Sequence, residues 1–140
     1  MADTVTSIVI EDSTTHHIIH LTNTSDGTGE AAVTKVDKSA IAVATDGAEP
    51  ASLDIDQIDW NIQGFTYVKI LWDHTTDDLA MILNGNGYKD FRYGVDDKHK
   101  TKGLCDPRSA GDTGDIKLTT TGAASGATYD ITIWLKKKAV

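Results

Sequence analysis

Five histidines are the first residues to weigh for chemistry, and three of them crowd one short run: His16, His17 and His20. In an extended chain His16, Ile18 and His20 point the same way, so one strand face offers two imidazoles. A zinc site takes three or four protein ligands. His74 and His99 sit in separate turn-like stretches, so the spacing supplies no third ligand, and His16 and His20 are expected on a solvent face. Asp73, Asp77 and Asp78 surround His74, and Asp96 with Asp97 forms a second acidic pair. Calcium takes six to eight oxygens, and neither stretch has EF-hand or RTX spacing. Both are expected to be solvated turns, and no metal ligand is assigned.

Nucleophiles are as sparse. Cys105 is the one cysteine, in the turn-like run Gly103-Leu104-Cys105-Asp106-Pro107, with no base at a telling distance. A lone cysteine forms no disulfide within the chain, so nothing demands an oxidising compartment. Ser109-Ala110-Gly111 also lacks a base. There is no Gly-x-Ser-x-Gly elbow, P-loop, Cys-x-x-Cys or His-Glu-x-x-His. Paired carboxylates can cleave glycosides, but an acidic β-chain offers many such pairs and they single out nothing. No catalytic residue and no cofactor are assigned, and the chain is not expected to be an enzyme.

The aromatics remain. Trp72, flanked by Ile70 and Leu71, suits a core. Trp134 shares a face with Asp130, Thr132 and Lys136, which is otherwise polar. A tryptophan on a sheet face can stack on a sugar or anchor a protein interface; cover from a loop of its own chain is the plainer alternative. The long polar stretch Gly94 to Gly114 is the second candidate surface. Loops of about 20 residues are uncommon in compact domains and usually carry function. Trp134 with Asp96, Asp97, Lys98, His99 and Lys100 is therefore the candidate partner-contact set.

The elements that must position these residues are strands. Alternating apolar positions predict Thr4–Ile10, His16–Thr22 (with His17, Ile19 and Leu21 inward), Ala31–Val36, Leu53–Ile62, Phe65–Trp72, Leu79–Leu83, Lys89–Tyr93, Asp115–Thr121 and Ala127–Lys137. Asn23 to Gly29 is a turn by composition, and Asn84-Gly85-Asn86-Gly87 carries two Asn-Gly turn signals. Asp37 to Ala44 suits a short helix or a strand. In Leu53–Ile62 the apolar alternation changes parity between Ile55 and Ile58, which predicts a β-bulge near Asp56-Gln57. Phe65–Trp72 is apolar on both faces, with Val68, Ile70 and Trp72 on one and Phe65, Tyr67 and Leu71 on the other, so it belongs in the middle of a sheet. The expected fold is a single all-β domain over residues 1–140: a jelly-roll-like β-sandwich of about eight or nine short antiparallel strands.

Composition sets further bounds. With 140 residues and 39% apolar content, the chain falls below the ~45–50% usual in globular domains, which suits apolar surface completed by neighbours. The net charge is −8. Nucleic-acid binding is driven by clustered Lys and Arg, and the one basic cluster is Lys136-Lys137-Lys138 at a strand end. Neither nucleic acid nor an anionic membrane is an expected partner. No basic, apolar leader opens the chain, and no run approaches the ~20 apolar residues of a membrane span.

The second half resembles a known group. Tyr67-Val68-Lys69-Ile70-Leu71-Trp72-Asp73, Thr75-Thr76-Asp77-Asp78, Leu83-Asn84-Gly85-Asn86-Gly87, Asp90-Phe91, Gly103-Leu104, Asp106-Pro107, Ser109-Ala110-Gly111, Thr113-Gly114-Asp115-Ile116, Leu118-Thr119-Thr120 and Tyr129-Asp130-Ile131-Thr132-Ile133 are similar to small structural virion proteins of tailed bacteriophages. The resemblance spans roughly Phe65 to Lys137, and Gly94 to Lys102 is longer and more charged than the group's pattern. It implies a virion component made in the host bacterial cytoplasm. Small acidic β-domains in virions are often decoration (cement) proteins on the capsid surface. The implied partners are the major capsid protein and further copies of the chain, a trimer being favoured. A tail, neck or fibre component and a carbohydrate-binding module for host adhesion are the alternatives.

Overall fold

The structure is a computed structural model that describes residues 3–91, 104–105, 111 and 113–138. Its elements are β1 (Thr4–Asp12), β2 (His16–Asp26), β3 (Val33–Val36), a 3-10 turn (Lys38–Ala40), β4 (Ser52–Gln63), β5 (Tyr67–Trp72), β6 (Asp78–Leu83), β7 (Asn86–Asp90), β8 (Leu104–Cys105), β9 (Ile116–Thr121) and β10 (Ser125–Lys138). One sheet has the order β1-β2-β10-β4-β7, with β8 also against β4; the other has the order β3-β9-β5-β6. Every pairing is antiparallel. Set aside β1 and β8, and the sheets β2-β10-β4-β7 and β3-β9-β5-β6 are the two halves of an eight-strand jelly roll. The predicted β-sandwich is the fold, and β1 is an extra strand laid on its open edge.

The core follows from alternation. Ile19 and Leu21 of β2, Ile131, Ile133 and Leu135 of β10, and Leu53, Ile55, Ile58 and Ile62 of β4 face Val36, Val68, Ile70, Trp72, Leu83, Ile116 and Leu118 of the other sheet. Each buried branched side chain or aromatic ring removed from water contributes about 1.5–3 kcal/mol. β5 lies between β9 and β6, the interior place its two apolar faces require.

The bulge falls where the parity change placed it. Trp134 pairs with Gln57 while Leu135 pairs with Ile55, which leaves Asp56 as the extra residue. Leu53 and Ile55 before it and Ile58 and Ile62 after it are therefore all buried.

Several boundaries differ from expectation, each for a physical reason. The turn expected at Asn23 begins later, because β2 runs on to Asp26. Asn23 and Ser25 look like turn formers, yet they point inward and are satisfied there: Asn23 Nδ2 donates to Asp3 and Glu30 at 3.0 and 2.8 Å, and Ser25 Oγ donates to Asp3 at 2.9 Å. β1 continues to Asp12 through a register shift after Val9. Asp37–Ala44 resolves into the 3-10 turn, capped by the Asp37 carboxylate on the Ser39 amide. The strand expected at Lys89–Tyr93 begins earlier, as Asn86–Asp90, so Asn86-Gly87 is strand and not turn, and Arg92 and Tyr93 lie outside the described residues. Gly87 is needed there because its missing Cβ would lie 2.6 Å from the Trp60 ring. Phe65 leaves the face of Tyr67 and Leu71 and packs 6.1 Å from Tyr129. The strands are not uniformly short: β4 has 12 residues and β10 has 14. Within the stretch expected to be one long loop, Leu104–Cys105 pairs with Asp54 and Ile55.

Candidate functional site

The six-strand sheet has one face on the core and one turned away. On β10 the core takes Ile131, Ile133 and Leu135, so Thr128, Asp130, Thr132, Trp134 and Lys136 stand on the outer face. Register then builds that face in rows. Thr128 lies between Thr24 of β2 and Gln63 of β4, Asp130 between Thr22 and Asn61, Thr132 between His20 and Asp59, and Trp134 between Ile18 and Gln57. β7 extends the rows: Asn86 lies opposite Asn61, Tyr88 opposite Asp59 and Asp90 opposite Gln57. Two aromatics thus share a face of amides, hydroxyls and carboxylates. Trp134 is half-buried, and Tyr88 is 51% exposed.

Hydrogen bonds hold these side chains in place. The Tyr88 hydroxyl donates to Gln57 Oε1. His20 Nε2 meets Asp130 Oδ1 at 2.7 Å. Next to that pair, Thr22, Thr24, Asn61, Gln63, Thr128 and Asp130 line a polar depression of about 290 Å³. At the other end of the face the bulge turns Asp56 toward His16, 3.4 Å away, and Lys138 pairs with Asp54 at 2.9 Å. The arrangement suits polar recognition with two stacking platforms.

Of the residues singled out in the sequence, Trp134 is on this face, beside Ile18 and Gln57. Asp96, Asp97, Lys98, His99 and Lys100 lie outside the described residues. His16 and His20 share the face and are each paired with a carboxylate. His17 is buried, its Nδ1 3.2 Å from Asp12. The Asp73–Asp78 turn is not simply solvated. Lys117 reaches from β9 to Asp73 at 2.8 Å and Asp77 at 3.4 Å, and buried His74 meets Asp78 at 2.9 Å. Hydrogen bonds from Lys117 and Thr113 hold the Asp73 carboxyl below its ordinary range, and the same pairing raises the Lys117 ammonium. No group of three His, Cys, Asp or Glu side chains arranged for a metal occurs among the described residues, and no described helix is long and apolar enough to cross a membrane.

Sequence reasoning missed Tyr88, Gln57, Asp59 and Asn61. The signal was available: past the bulge, Gln57, Asp59, Asn61 and Gln63 alternate with Ile58, Trp60 and Ile62. It also missed a second surface. β1 is exposed along its whole length, with Ile8 55%, Val9 52% and Ile10 59% exposed. Among the described residues it pairs only with β2.

No protein-family model matches the chain, and no curated protein matches it. Among solved structures, a mutant of CBM29-2, a family 29 carbohydrate-binding module, is similar at 11% identity, covering 97% of this chain and 87% of that one with a TM-score of 0.36.

Proposed function

We propose that the chain is a non-catalytic virion protein of a tailed bacteriophage, a capsid decoration protein that lays the outer face of its six-strand sheet on the head surface. The observation that supports this is the face itself: Trp134 and Tyr88 set among rows of fixed polar side chains. Side chains on adjacent strands are already ordered, so docking loses little conformational freedom. The aromatics supply anchors and the amides and hydroxyls supply register. The resemblance of the second half to virion proteins gives the setting, and the net charge of −8 suits the outside of a shell whose inside holds DNA. A protein that binds the assembled shell but not free capsid subunits stabilises the shell by mass action.

The test is to strip heads of this protein and add it back. Decorated heads should survive heating and low salt that open bare heads, and Trp134→Ala should weaken re-binding at least tenfold. Bare heads as robust as decorated ones would remove the reading.

One observation favours a second reading. Tyr88 and Trp134 flank Gln57, Asp59 and Thr132, a combination that also suits sugar rings stacked on aromatics with hydroxyls bound between them. This would make the chain a carbohydrate-binding module for adhesion to cells. Titration with a broad glycan panel should then shift tryptophan emission, and Trp134→Ala should abolish the shift. A silent panel leaves the capsid as the partner.

A further inference from the structure

We infer that two copies of this chain pair through β1, edge to edge and antiparallel about a two-fold axis at Ser7, to form one continuous twelve-strand sheet. This goes beyond the proposed function, which holds or fails on the outer face alone.

The edge needs cover. A long, apolar edge strand is a standing template for pairing, and proteins blunt such edges with Pro, charged residues, bulges or short length. β1 has nine residues and neither Pro nor Lys, and its register shift and its charged residues, Glu11 and Asp12, all come after Val9. Val5, Ser7 and Val9 lie opposite Asn23, Leu21 and Ile19, on the side of the sheet that faces the core. Those three partners are buried, yet all nine residues of β1 are exposed. Val33, on the edge strand of the other sheet, and Val43 are also exposed on the described surface.

A second copy is the occupant that the strand's own pattern favours, at the one edge segment where the charges permit it. A chain of net charge −8 repels its own copy across most of its surface. Thr4 to Ile10 carries no charge at all, and of the acids at its ends Asp3 and Asp12 are drawn into their own chain. The strand is also complementary to itself. With Ser7 opposite Ser7, Val5 meets Val9 on one face, and Thr6 meets Ile8 and Thr4 meets Ile10 on the other. That seam ends where β1 ends its regular run, at the shift between Val9 and Glu11. A two-fold seam also closes. The other apolar edge, Leu79 and Ile82 on β6, belongs to the opposite sheet at its far side. Joining β1 to β6 head to tail would leave free edges and build a filament.

Pairing this way sets the two copies' Trp134 five strand spacings apart across the sheet, roughly 24 Å at about 4.8 Å per spacing, and six residues apart along the strands, roughly 20 Å at about 3.4 Å per residue. Two linked sites raise the apparent affinity for a repeating surface without any new contact.

The experiment is sedimentation equilibrium on the full chain. The wild type should run at twice the chain mass of 15.0 kDa. Val9→Lys and Ile8→Lys should each run as folded monomers; both positions are more than half exposed, so the substitutions leave the monomer core intact and circular dichroism should be unchanged. Ile82→Lys on β6 should remain a dimer. A monomeric or trimeric wild type overturns the inference, and so does a dimer that survives Val9→Lys or dissociates with Ile82→Lys. Binding of monomeric Val9→Lys to bare heads reads the outer face separately: retained but weaker binding upholds the docking proposal whichever way the dimer test falls.

Discussion

Tyr129 of β10 donates its hydroxyl to Glu30 Oε1 at 2.5 Å, which fastens the centre of the six-strand sheet to the segment that leads into β3. Lys35 takes the other Glu30 oxygen, and Asn23 donates to the first. Burial and the Glu30 carboxylate together push the phenol above its ordinary range. Tyr129→Phe leaves the buried carboxylate one donor short and should cost about 1–3 kcal/mol. Urea unfolding checks this; a midpoint shift too small to measure would mean that Lys35 and Asn23 suffice.

The Lys137 side chain is fully buried and holds Asp12, the Ser13 carbonyl and the Ala42 carbonyl. It ties the end of β1 and the chain after the 3-10 turn to the last strand. Lys137→Met keeps the apolar stem but leaves these acceptors without their donor. The expected loss is about 2–3 kcal/mol, at the low end for a buried pair because Asp12 is 30% exposed. Lys136→Met, whose side chain is exposed, should stay within about 0.5 kcal/mol of wild type.

Acid should loosen the ties that the carboxylates make. For Asp12, burial raises the carboxyl pKa, but hydrogen bonds from Lys137, the Ala42 amide and His17 outweigh it and the net shift is down. Asp3 behaves alike through Asn23, Ser25, Gly29 and Asp26, and Asp73 through Lys117 and Thr113. A depressed folded-state pKa contributes stability that is present above the unfolded value, about 3.9, and is lost as pH falls through the folded value. Asp115 is opposed: burial raises its pKa, so its protonation favours the fold. Three lowered groups against one raised predict a melting temperature that drops below about pH 4. Asp12→Asn should be less stable at neutral pH and lose less on acidification; a slope equal to wild type would show that Asp12 does not titrate with folding.

At Gly87 the strand backbone lies against the Trp60 ring, and Trp60 Nε1 donates to the Asn84 carbonyl at 3.0 Å. Gly87→Ala puts a methyl where the indole lies, so the ring must leave its place. Overpacking of this kind costs about 1–3 kcal/mol. The change should appear both in urea unfolding and as a red shift in tryptophan emission, and an unmoved spectrum would place the ring elsewhere.

The fold was largely legible because burial imposes period two. Ile131-x-Ile133-x-Leu135 and Val68-x-Ile70-x-Trp72 fixed two strands and their faces, and the parity change at Ile55–Ile58 located an irregularity without coordinates. Polar residues with inward roles were not legible. Asn23, Ser25 and Lys137 have the types of turn and surface residues, and only tertiary partners explain their burial. The site was half legible. Trp134 stood out because its own strand neighbours are polar. Tyr88 did not, because it joins the face only through the pairing of β7 with β4, a contact between segments far apart in sequence. The exposure of β1 was equally hidden: an apolar alternating strand looks the same whether or not a second sheet lies beneath it.

The bulge at Asp56 also bears on descent. Alternation is continuous on each side of that residue and would be continuous across it if it were absent, since Leu53, Ile55, Ile58, Trp60 and Ile62 would then fall on one face without a break. β4 therefore carries a spare position. A relative lacking Asp56 would keep the inward face of β4 and lose the approach to His16 and the carbonyl that accepts the Phe91 amide, whereas a one-residue loss at Asp59 would turn Trp60 and Ile62 out to water. Length variation among descendants of this sequence should collect at that one point of β4, and a single-residue gap there would mark a change of history and not of fold.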